Sequence, residues 1–224
     1  MIDRYAVIVA GGSGSRMQLQ LPKQFIPVGG KPVLMHTIER FYALDAAIKV
    51  IVVLPADQGA VWERLCQEVG FAVPHQVVTG GHSRFASVRN GLGAIQGEGL
   101  VAVHDGVRPF VSTAIIQKAF EEAAEHGNAV AAVPLKDSIR RLAGGVSGAE
   151  DRNAFRLVQT PQCFRLDLLR QAYTQPEEPS FTDDASVVER LGVAIRLVEG
   201  SYENIKITTP EDLLWAEAFL QASK

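Results

Sequence analysis

A glycine-rich loop with nearby cations is the first place where this sequence could do chemistry. The run Ala10–Met17 (AGGSGSRM) follows an apolar segment directly, and Pro22–Gln24 (PKQ) comes soon after it. Glycines let a backbone approach a ligand closely, and consecutive exposed N–H groups hold phosphate oxygens. Arg16 and Lys23 bracket these donors with positive charge. The loop therefore favours a triphosphate site, and a flexible turn with solvated cations is the alternative.

The best-known phosphate-binding motifs do not fit this loop. A dinucleotide-binding fingerprint needs a further glycine three places after Gly14, where Met17 stands. A Walker A loop needs Gly-Lys followed by Ser or Thr, which the run lacks. A dinucleotide-dependent oxidoreductase is therefore disfavoured.

A second cluster of chemically active residues is His104–Pro109 (HDGVRP), which follows a predicted buried strand. Ligands of open parallel sheets bind at the carboxyl ends of the strands. Asp105 is the candidate for Mg²⁺, which prefers one or two carboxylates together with substrate phosphates. A lone Asp after a strand is often only a turn-former, but Arg108 three residues later favours a functional site.

The elements that must position these residues alternate between β-rich and helical segments. Apolar runs predict strands at Tyr5–Ala10, Lys49–Leu54, His75–Val78, Leu100–His104 and Ala129–Val133. Helical periodicity predicts helices at Pro32–Leu44, Gln58–Val69, Ser83–Ile95 and Ser112–His126, with Ser112 as a cap and Gly127 just past the end. This alternation predicts an α/β fold with a doubly wound, mostly parallel sheet.

The alternation stops after Pro134. The polar stretch Lys136–Pro161 contains β-type segments at Ser138–Leu142 and Phe155–Gln159, which predict a protruding β-arm. We expect one domain over residues 1–224, with residues 136–161 as an inserted arm and dimerisation element. Further elements are predicted at Arg165–Tyr173 (helix), Asp183–Leu191 (helix), Val193–Val198 (strand), Asn204–Thr208 (strand) and Pro210–Ala222 (helix, with Thr209 as its cap).

Composition limits the function classes. The chain has 224 residues, with 22 basic and 25 acidic side chains and a net charge of −3, which argues against a nucleic-acid-binding face. No apolar run is long enough for a membrane span. Cys66 and Cys163 are too few for a disulfide framework, so we expect a cytoplasmic location. The histidines have no metal-ligand spacing, which makes zinc an unfavoured cofactor.

Several motifs follow one another in a fixed order across nearly the whole chain. They are Ala10–Met17, Pro22–Phe25 (PKQF), Gly80–Arg84 (GGHSR) with Ser87, His104–Pro109, Asp151-Arg152, Gln159–Gln162 (QTPQ), Thr182–Ser186 (TDDAS) and Asn204–Thr208 (NIKIT). This series resembles the family of 2-C-methyl-D-erythritol 4-phosphate cytidylyltransferases. The resemblance implies a Rossmann-like nucleotidyltransferase fold.

The resemblance also implies an activity and a set of site residues. A sugar phosphate would attack the α-phosphorus of CTP with Mg²⁺ or another divalent cation bound, and pyrophosphate would leave. Charge would be stabilised by Arg16, Lys23 and Lys206. The implied nucleotide-binding residues are Ala10, Gly11, Gly12, Ser13, Gly14, Gly81, Ser87 and Gly106. The implied acceptor-binding residues are Asp105, Arg108, Ser138, Arg152, Thr160 and Thr182, with Asp105 also near the metal.

The resemblance further implies a homodimer in which the arm residues Arg152 and Thr160 complete the neighbouring site. Polar residues also have plainer interpretations: a salt bridge for Arg152, an exposed strand position for Lys206, and a helix-internal hydrogen bond for Ser87. Asp183 and Asp184 are interpreted as capping residues of a helix rather than as an acid–base pair.

Two other functions stay open at this point. A ribitol-5-phosphate cytidylyltransferase would share the glycine-rich loop and the PKQF block, although it usually has a different spacer from the short Gln18–Leu21 found here. A noncatalytic nucleotide-binding protein on the same fold would be expected to lack Arg16 or Lys23, and both are present.

Overall fold

A computed structural model describes residues 2–11 and 21–222. Its strands are β1 (Arg4–Val9), β2 (Pro27–Val28), β3 (Lys31–Pro32), β4 (Lys49–Leu54), β5 (Gln76–Thr79), β6 (Leu100–Asp105), β7 (Asn128–Pro134), β8 (Ile139–Ala143), β9 (Val146–Glu150), β10 (Arg156–Arg165) and β11 (Leu197–Glu199). Its α-helices are α1 (Val33–Leu44), α2 (Gly59–Val69), α3 (Arg84–Gly93), α4 (Thr113–His126), α5 (Leu166–Ala172), α6 (Asp184–Glu189) and α7 (Pro210–Ala222). Short 3₁₀ turns lie at Lys23–Phe25 and Arg152–Ala154.

The main sheet has seven strands in the order β11-β7-β10-β6-β1-β4-β5. Strand β1 pairs in parallel with β4 and β6, and the pairs β4–β5 and β7–β11 are also parallel. Only β10 among these strands runs antiparallel, between β6 and β7. The near-continuous apolar runs of β1, β4 and β6 are buried on both faces, as central parallel strands require. The predicted α/β class and mostly parallel sheet are confirmed.

Helices cover both faces of the sheet. Alternate residues of β1 point to opposite sides, so Ala6 and Ile8 pack with α1, α2 and α4. Tyr5 and Val7 pack with α3, α5 and α6 on the other side. This is the doubly wound arrangement that the alternation of elements predicts. None of the helices within the described residues is long and apolar enough to cross a membrane.

Helix ends follow the sequence signals in most places. The Ser112 hydroxyl accepts from the Ile115 amide, and Gly127 ends α4 in the left-handed region with φ of 90°. Asp183 caps α6 in a reciprocal capping box with Ser186, as predicted. Thr209 stands at the cap position of α7 as predicted, directly before Pro210, and the Asp212 carboxylate accepts from the amides of both Thr208 and Thr209. Two backbone donors before the helix are thereby satisfied by a side chain inside it.

The second half of the chain departs from the predicted element boundaries. The hairpin consists of β8 and β9, whereas the predicted arm segment Phe155–Gln159 lies mostly in β10 of the main sheet. The polar block Gln159–Gln162 in the middle of β10 separates this segment from the buried Cys163 and Phe164, so the sequence pattern does not indicate one continuous strand. The predicted strand Asn204–Thr208 is an extended segment outside the sheet, attached through a bond from the Ile207 amide to the Val107 carbonyl.

Helix α3 approaches the sheet most closely at a glycine. A Cβ atom at Gly91 would lie 2.7 Å from a methyl carbon of Val7 and 2.9 Å from one of Val53. Both valines are fully buried in β1 and β4, so neither can move freely. This contact sets the depth at which α3, and the loop before it, sit on the sheet.

We expect Gly91→Ala to lower the free energy of unfolding by about 1–3 kcal/mol, because the added methyl overpacks the core. Gly93→Ala is the matched control, since a Cβ there meets nothing within 4 Å. That control should be neutral or stabilising by up to about 1 kcal/mol, as Gly is a poor helix former. Urea unfolding of both variants checks the prediction, and equal effects at the two positions would contradict it.

Candidate active site

A cleft opens at the carboxyl ends of β1 and β6, where the sheet order changes direction. Its volume is about 330 Å³. It brings together seven of the residues that the sequence selects, which are Ala10, Gly11, Lys23, Gly81, Ser87, Asp105 and Lys206. Residues from five separate segments therefore meet at one edge of the sheet, as ligand sites of open α/β sheets do.

The loop between β5 and α3 forms one wall of the cleft. The Ser83 hydroxyl caps α3 by accepting from the Ala86 amide at 3.0 Å. Ser87 reaches back across the loop, and its Oγ accepts from the Gly81 amide at 3.1 Å. A Cβ at Gly81 would come within 2.3 Å of the Ala86 Cβ, so no side chain fits there. The loop is thus a tight, preformed turn with backbone facing the cleft, and Ser87 bonds to this loop rather than within its own helix.

Asp105 is the charged centre of the opposite wall. Its Oδ2 lies 3.2 Å from Arg108 Nε and 3.0 Å from Lys206 Nζ, and the residue is only 8% exposed. Burial alone would raise the pKa of this carboxyl, but Lys206, Arg84 and Arg108 together lower it well below its usual range. Asp105 is therefore a carboxylate, and it holds two cations at the cleft.

The segment that carries Lys206 is clamped to the sheet by Asn204. The buried Asn204 side chain donates to the Thr160 carbonyl at 2.8 Å and to Gln159 Oε1 at 3.2 Å. The backbone carbonyl of Asn204 accepts from Arg108 Nη1 at 2.7 Å. These bonds fix an extended segment that pairs with none of the described strands, and they bring Lys206 against Asp105.

The block Gln159–Gln162 organises these contacts through a bulge. The register of β10 against β7 shifts between Val158 and Gln162, which leaves the intervening residues outside the regular ladder. The Thr160 hydroxyl accepts from the Asp105 amide at 3.1 Å, and the Gln162 amide group bonds both Asp183 and Ala185 at the start of α6. The bulge therefore connects three segments of the site.

Thr160 is not on the arm, contrary to the sequence-based expectation. It is buried in the main sheet of its own chain and bonds the backbone of Asp105. Polar composition around the bulge resembles that of a surface hairpin, which is why the boundary was wrong. Its proposed contact with an acceptor in a neighbouring site stays a prediction.

Lys23 reaches the cleft from a 3₁₀ turn that is anchored on both sides. The buried Gln24 donates to Gln58 Oε1, before α2, at 2.6 Å. Phe25 stacks on Trp62 with ring centroids 5.9 Å apart. The PKQF block therefore needs its glutamine and phenylalanine to fix the position of its lysine.

The remaining sequence-selected residues lie elsewhere. Arg108 sits behind the cleft on Asp105, and Gly106 packs against Ala10, because a Cβ there would lie 2.9 Å from the Ala10 Cβ. The exposed residues Ser138, Arg152 and Thr182 are not among those lining the cleft of their own chain. Four selected residues lie outside the described part of the chain, which are Gly12, Ser13, Gly14 and Arg16.

Several residues that shape the site were not selected from the sequence. Gln24, Asn204 and Gln162 are buried amides inside the quoted motifs, so their position in those blocks was the available signal. Asp184 was interpreted as a capping residue, but its carboxylate bonds the Arg84 guanidinium. That contact joins residues 100 positions apart, and no local pattern predicts it.

His104 precedes Asp105 in β6 and is fully buried. Its Nε2 faces the Arg108 carbonyl at 3.1 Å, and its ring meets Phe41 edge-on. Burial lowers the pKa of His104 to about 4, with the charges of Arg108 and Lys206 acting in the same direction. The imidazole is therefore neutral in the folded protein at neutral pH.

Comparison with known proteins shows which family the chain belongs to. The family model described as 2-C-methyl-D-erythritol 4-phosphate cytidylyltransferase matches residues 5–222. The chain belongs to this family. It is therefore related to nucleotidyltransferases over nearly its whole described length, and the resemblance drawn from the motif series is confirmed.

Individual cytidylyltransferases of the family are similar in sequence and in structure. The chain is 52% identical to the protein of that name from Bacteroides thetaiotaomicron, over 96% of this chain and 98% of the relative. It is 50% identical to that of Phocaeicola vulgatus, over 98% and 100% of the two chains. The crystal structure of 2-C-methyl-D-erythritol 4-phosphate cytidylyltransferase from Thermus thermophilus matches with a TM-score of 0.78 and 36% identity, covering 99% and 100% of the two chains. That of 4-diphosphocytidyl-2C-methyl-D-erythritol synthase from Anaerococcus prevotii matches with a TM-score of 0.83 and 29% identity, over 98% and 96%.

The neutral buried His104 predicts a loss of stability in acid. Below pH 6.5 the unfolded chain binds a proton at His104 that the folded chain does not bind until about pH 4. Stability is thus fully present above pH 6.5 and falls as the pH drops toward 4, by up to about 3 kcal/mol from this group. We expect His104→Gln to flatten that fall, measured by urea unfolding at several pH values.

The control is His82→Gln, which removes a histidine from an exposed loop position. A His104→Gln variant that is folded at pH 7.5 yet loses stability in acid as steeply as the parent would contradict the assignment.

Proposed function

We propose that this chain transfers CMP from CTP to 2-C-methyl-D-erythritol 4-phosphate, forming 4-diphosphocytidyl-2-C-methyl-D-erythritol and pyrophosphate. The observation that carries the proposal is the family match over residues 5–222. Seven of the motif residues within that range line one cleft. Relatives about half identical to this chain bear the name of that activity. The basic character of the cleft suits two phosphorylated substrates.

The reaction is a direct displacement at phosphorus. A phosphate oxygen of the acceptor forms a bond to the α-phosphorus of CTP, and the bond from that phosphorus to the bridging oxygen of the β-phosphate breaks. The electron pair leaves with pyrophosphate, so no covalent enzyme intermediate is needed. Negative charge grows on the non-bridging and leaving oxygens, and fixed cations stabilise it. Lys23 and Lys206 line the cleft and supply that charge, together with Arg16.

The loop from β5 to α3 is the proposed recognition site for cytosine. Base selection needs hydrogen-bonding groups in fixed positions, which the tight turn around Gly81 provides. Ala10 and Gly11 bring backbone against the same cleft from the end of β1. Nucleotide and acceptor phosphates then meet between this backbone and the cations of the opposite wall.

The donor set also fits a divalent cation that is held mainly by the substrate. Within the described residues, no group of three His, Cys, Asp or Glu side chains is arranged as a metal cage. Asp105 directs Oδ2 at both Arg108 and Lys206, and bonds between described residues leave Oδ1 for a further partner. Mg²⁺ typically uses one carboxylate with substrate phosphates. We therefore assign Asp105 as the residue that would hold Mg²⁺, which neutralises phosphate charge when bound.

Turnover with purified protein tests the proposed reaction. The protein is mixed with CTP and Mg²⁺ and with either methylerythritol 4-phosphate or ribitol 5-phosphate, and pyrophosphate release is followed. We expect rapid release only with methylerythritol 4-phosphate. Preferential turnover of ribitol 5-phosphate would identify that compound as the acceptor instead. No pyrophosphate release with either acceptor would overturn the proposal.

Lys23→Ala should lower kcat by a factor of about 10²–10³, because it removes a fixed cation that stabilises the negative charge developing on the phosphate oxygens. Lys31→Ala is the matched control. Lys31 pairs with Glu39 at 2.6 Å and is not among the residues lining the cleft. We expect Lys31→Ala to keep turnover within about twofold of the parent, since Lys31 lies outside the cleft and its ion pair is partly exposed to solvent. Equal losses of turnover in the two variants would contradict the electrostatic role proposed for Lys23.

A homodimer would account for the site residues that the cleft of one chain does not include. Arg152 is exposed and contacts the Lys136 carbonyl at the base of the β8–β9 hairpin. The hairpin also exposes Leu142 at 79% and Val146 at 72%, which favours burial against another surface. We infer that this arm contacts a second copy and that Arg152 serves its acceptor site.

Complementation between inactive variants tests the shared site. Heterodimers of a Lys23→Ala chain and an Arg152→Ala chain, purified through different tags, contain one intact site if Arg152 acts on its partner. They should recover about half of the parent activity, whereas either homodimer stays inactive. No recovery, or an active protein that light scattering finds strictly monomeric, would contradict the shared site.

A further inference from the structure

Arg84 stands at the junction between the proposed cytosine loop and helix α3. Its guanidinium binds the Asp184 carboxylate through two bonds, Nη1 to Oδ1 at 3.1 Å and Nη2 to Oδ2 at 2.6 Å. The Arg84 side chain is 31% exposed and lines the cleft, whereas the Asp184 side chain is 0% exposed. One partner of the pair therefore faces ligand space, and the other is sealed behind it.

Asp184 is held by a third donor. The Tyr173 hydroxyl donates to its Oδ1 at 2.6 Å, and the Tyr173 ring stacks on Phe85 with centroids 4.6 Å apart. Burial raises the pKa of Tyr173, and the charge of Asp184 raises it further, so the phenol keeps its proton and donates it. With both oxygens engaged and no exposed surface, Asp184 has no direct route to a substrate.

The backbone around Asp184 is also fixed. Asp183 caps α6, and the buried Gln162 donates to Asp183 at 2.8 Å and accepts from the Ala185 amide at 2.9 Å. Gln162 pairs with Val103 in the central sheet. The carboxylate is thus attached rigidly to the sheet, two residues after Thr182, which belongs to the proposed acceptor set.

Arg84 also interacts electrostatically with a second carboxylate, that of Asp105. The positive charge of Arg84 lowers the pKa of Asp105, in addition to the charges of Lys206 and Arg108. An Arg84 released from Asp184 would be drawn toward Asp105 and would compete there with Lys206. The two-bond fork to Asp184 prevents this, because it fixes both the position and the plane of the guanidinium.

We propose that Asp184 is a positioning residue for CTP, which acts through Arg84 by holding its guanidinium in place beside the cytosine loop. The inference rests on the proposed function and deepens it by adding a residue that touches no substrate. It also ties the nucleotide loop to the segment that carries Thr182. The pairing thereby makes the geometry of the nucleotide site depend on the same helix start as the acceptor site.

Asp184→Asn tests the proposal with Tyr173→Phe as its matched control. The first variant removes the charge that holds Arg84 but keeps the shape and an acceptor for Tyr173. The second removes a bond from the same buried cluster but leaves the ion pair. We expect Asp184→Asn to raise both the KM for CTP and the Kd for CTP by at least tenfold, and Tyr173→Phe to change each by less than threefold.

The Kd is measured by calorimetry with CTP and Mg²⁺ and no acceptor, so it does not depend on turnover. If the parent binds CTP but turns over neither acceptor, the proposed function fails. The Kd values of the variants still decide the role of Asp184 in that case. A Kd in Asp184→Asn within twofold of the parent, with only a lower Tm, would show a purely structural role and overturn the proposal.

A double variant provides a second test that covers failure of the single variant to fold. Arg84→Gln/Asp184→Asn replaces the buried ion pair by two neutral amides, which is less damaging than leaving one charge unpaired. Because Asp184 acts only through Arg84, this variant and Arg84→Gln alone should have the same Kd for CTP within twofold. A further tenfold weakening in the double variant would contradict the inference.

Discussion

The site depends on one buried negative charge, the carboxylate of Asp105. A buried carboxylate is costly unless cations and hydrogen bonds compensate it, and here Lys206 and Arg108 both bond the same oxygen. Each of these cations belongs to a different segment, and further hydrogen bonds also hold each segment at the cleft. Arg108 terminates the turn after β6, and Lys206 lies on an extended segment outside the sheet. The Asp105 carboxylate therefore holds two segments of the cleft wall together, in addition to contributing a charge to the site.

The antiparallel strand β10 supplies the other half of this construction. Bulges occur mostly in antiparallel pairs, and β10 departs from the ladder at Gln159–Pro161. Thr160 then reaches the Asp105 amide, while Gln159 bonds both Asn204 and Ser201. Polar groups that a regular strand would leave unsatisfied in the interior find partners on two adjacent segments. The irregularity is what lets the sheet hold the Lys206 segment.

Local signals predicted the elements whose residues carry a strong pattern. The continuous apolar runs marked the central parallel strands, and Ser112, Gly127 and Asp183 marked helix ends because capping is a local interaction. Patterns failed where distant polar contacts decide the structure. The Asn204–Thr208 segment alternates like a strand but pairs with none of the described strands, and the bond between Arg84 and Asp184 joins residues 100 positions apart. Site residues could be selected from motifs, but the partners that position them could not.

Repulsion among the cations limits how such a cleft can be built. Lys23, Arg84 and Lys206 line it and Arg108 lies directly behind it, close enough for like charges to oppose one another. Two carboxylates, Asp105 and Asp184, sit between them, and each is bonded to a cation from a different segment. These carboxylates reduce the repulsion without cancelling it, because four cations face two carboxylates among the residues that the structure describes. A chain with a net charge of −3 therefore keeps a local positive excess for phosphates at the cleft.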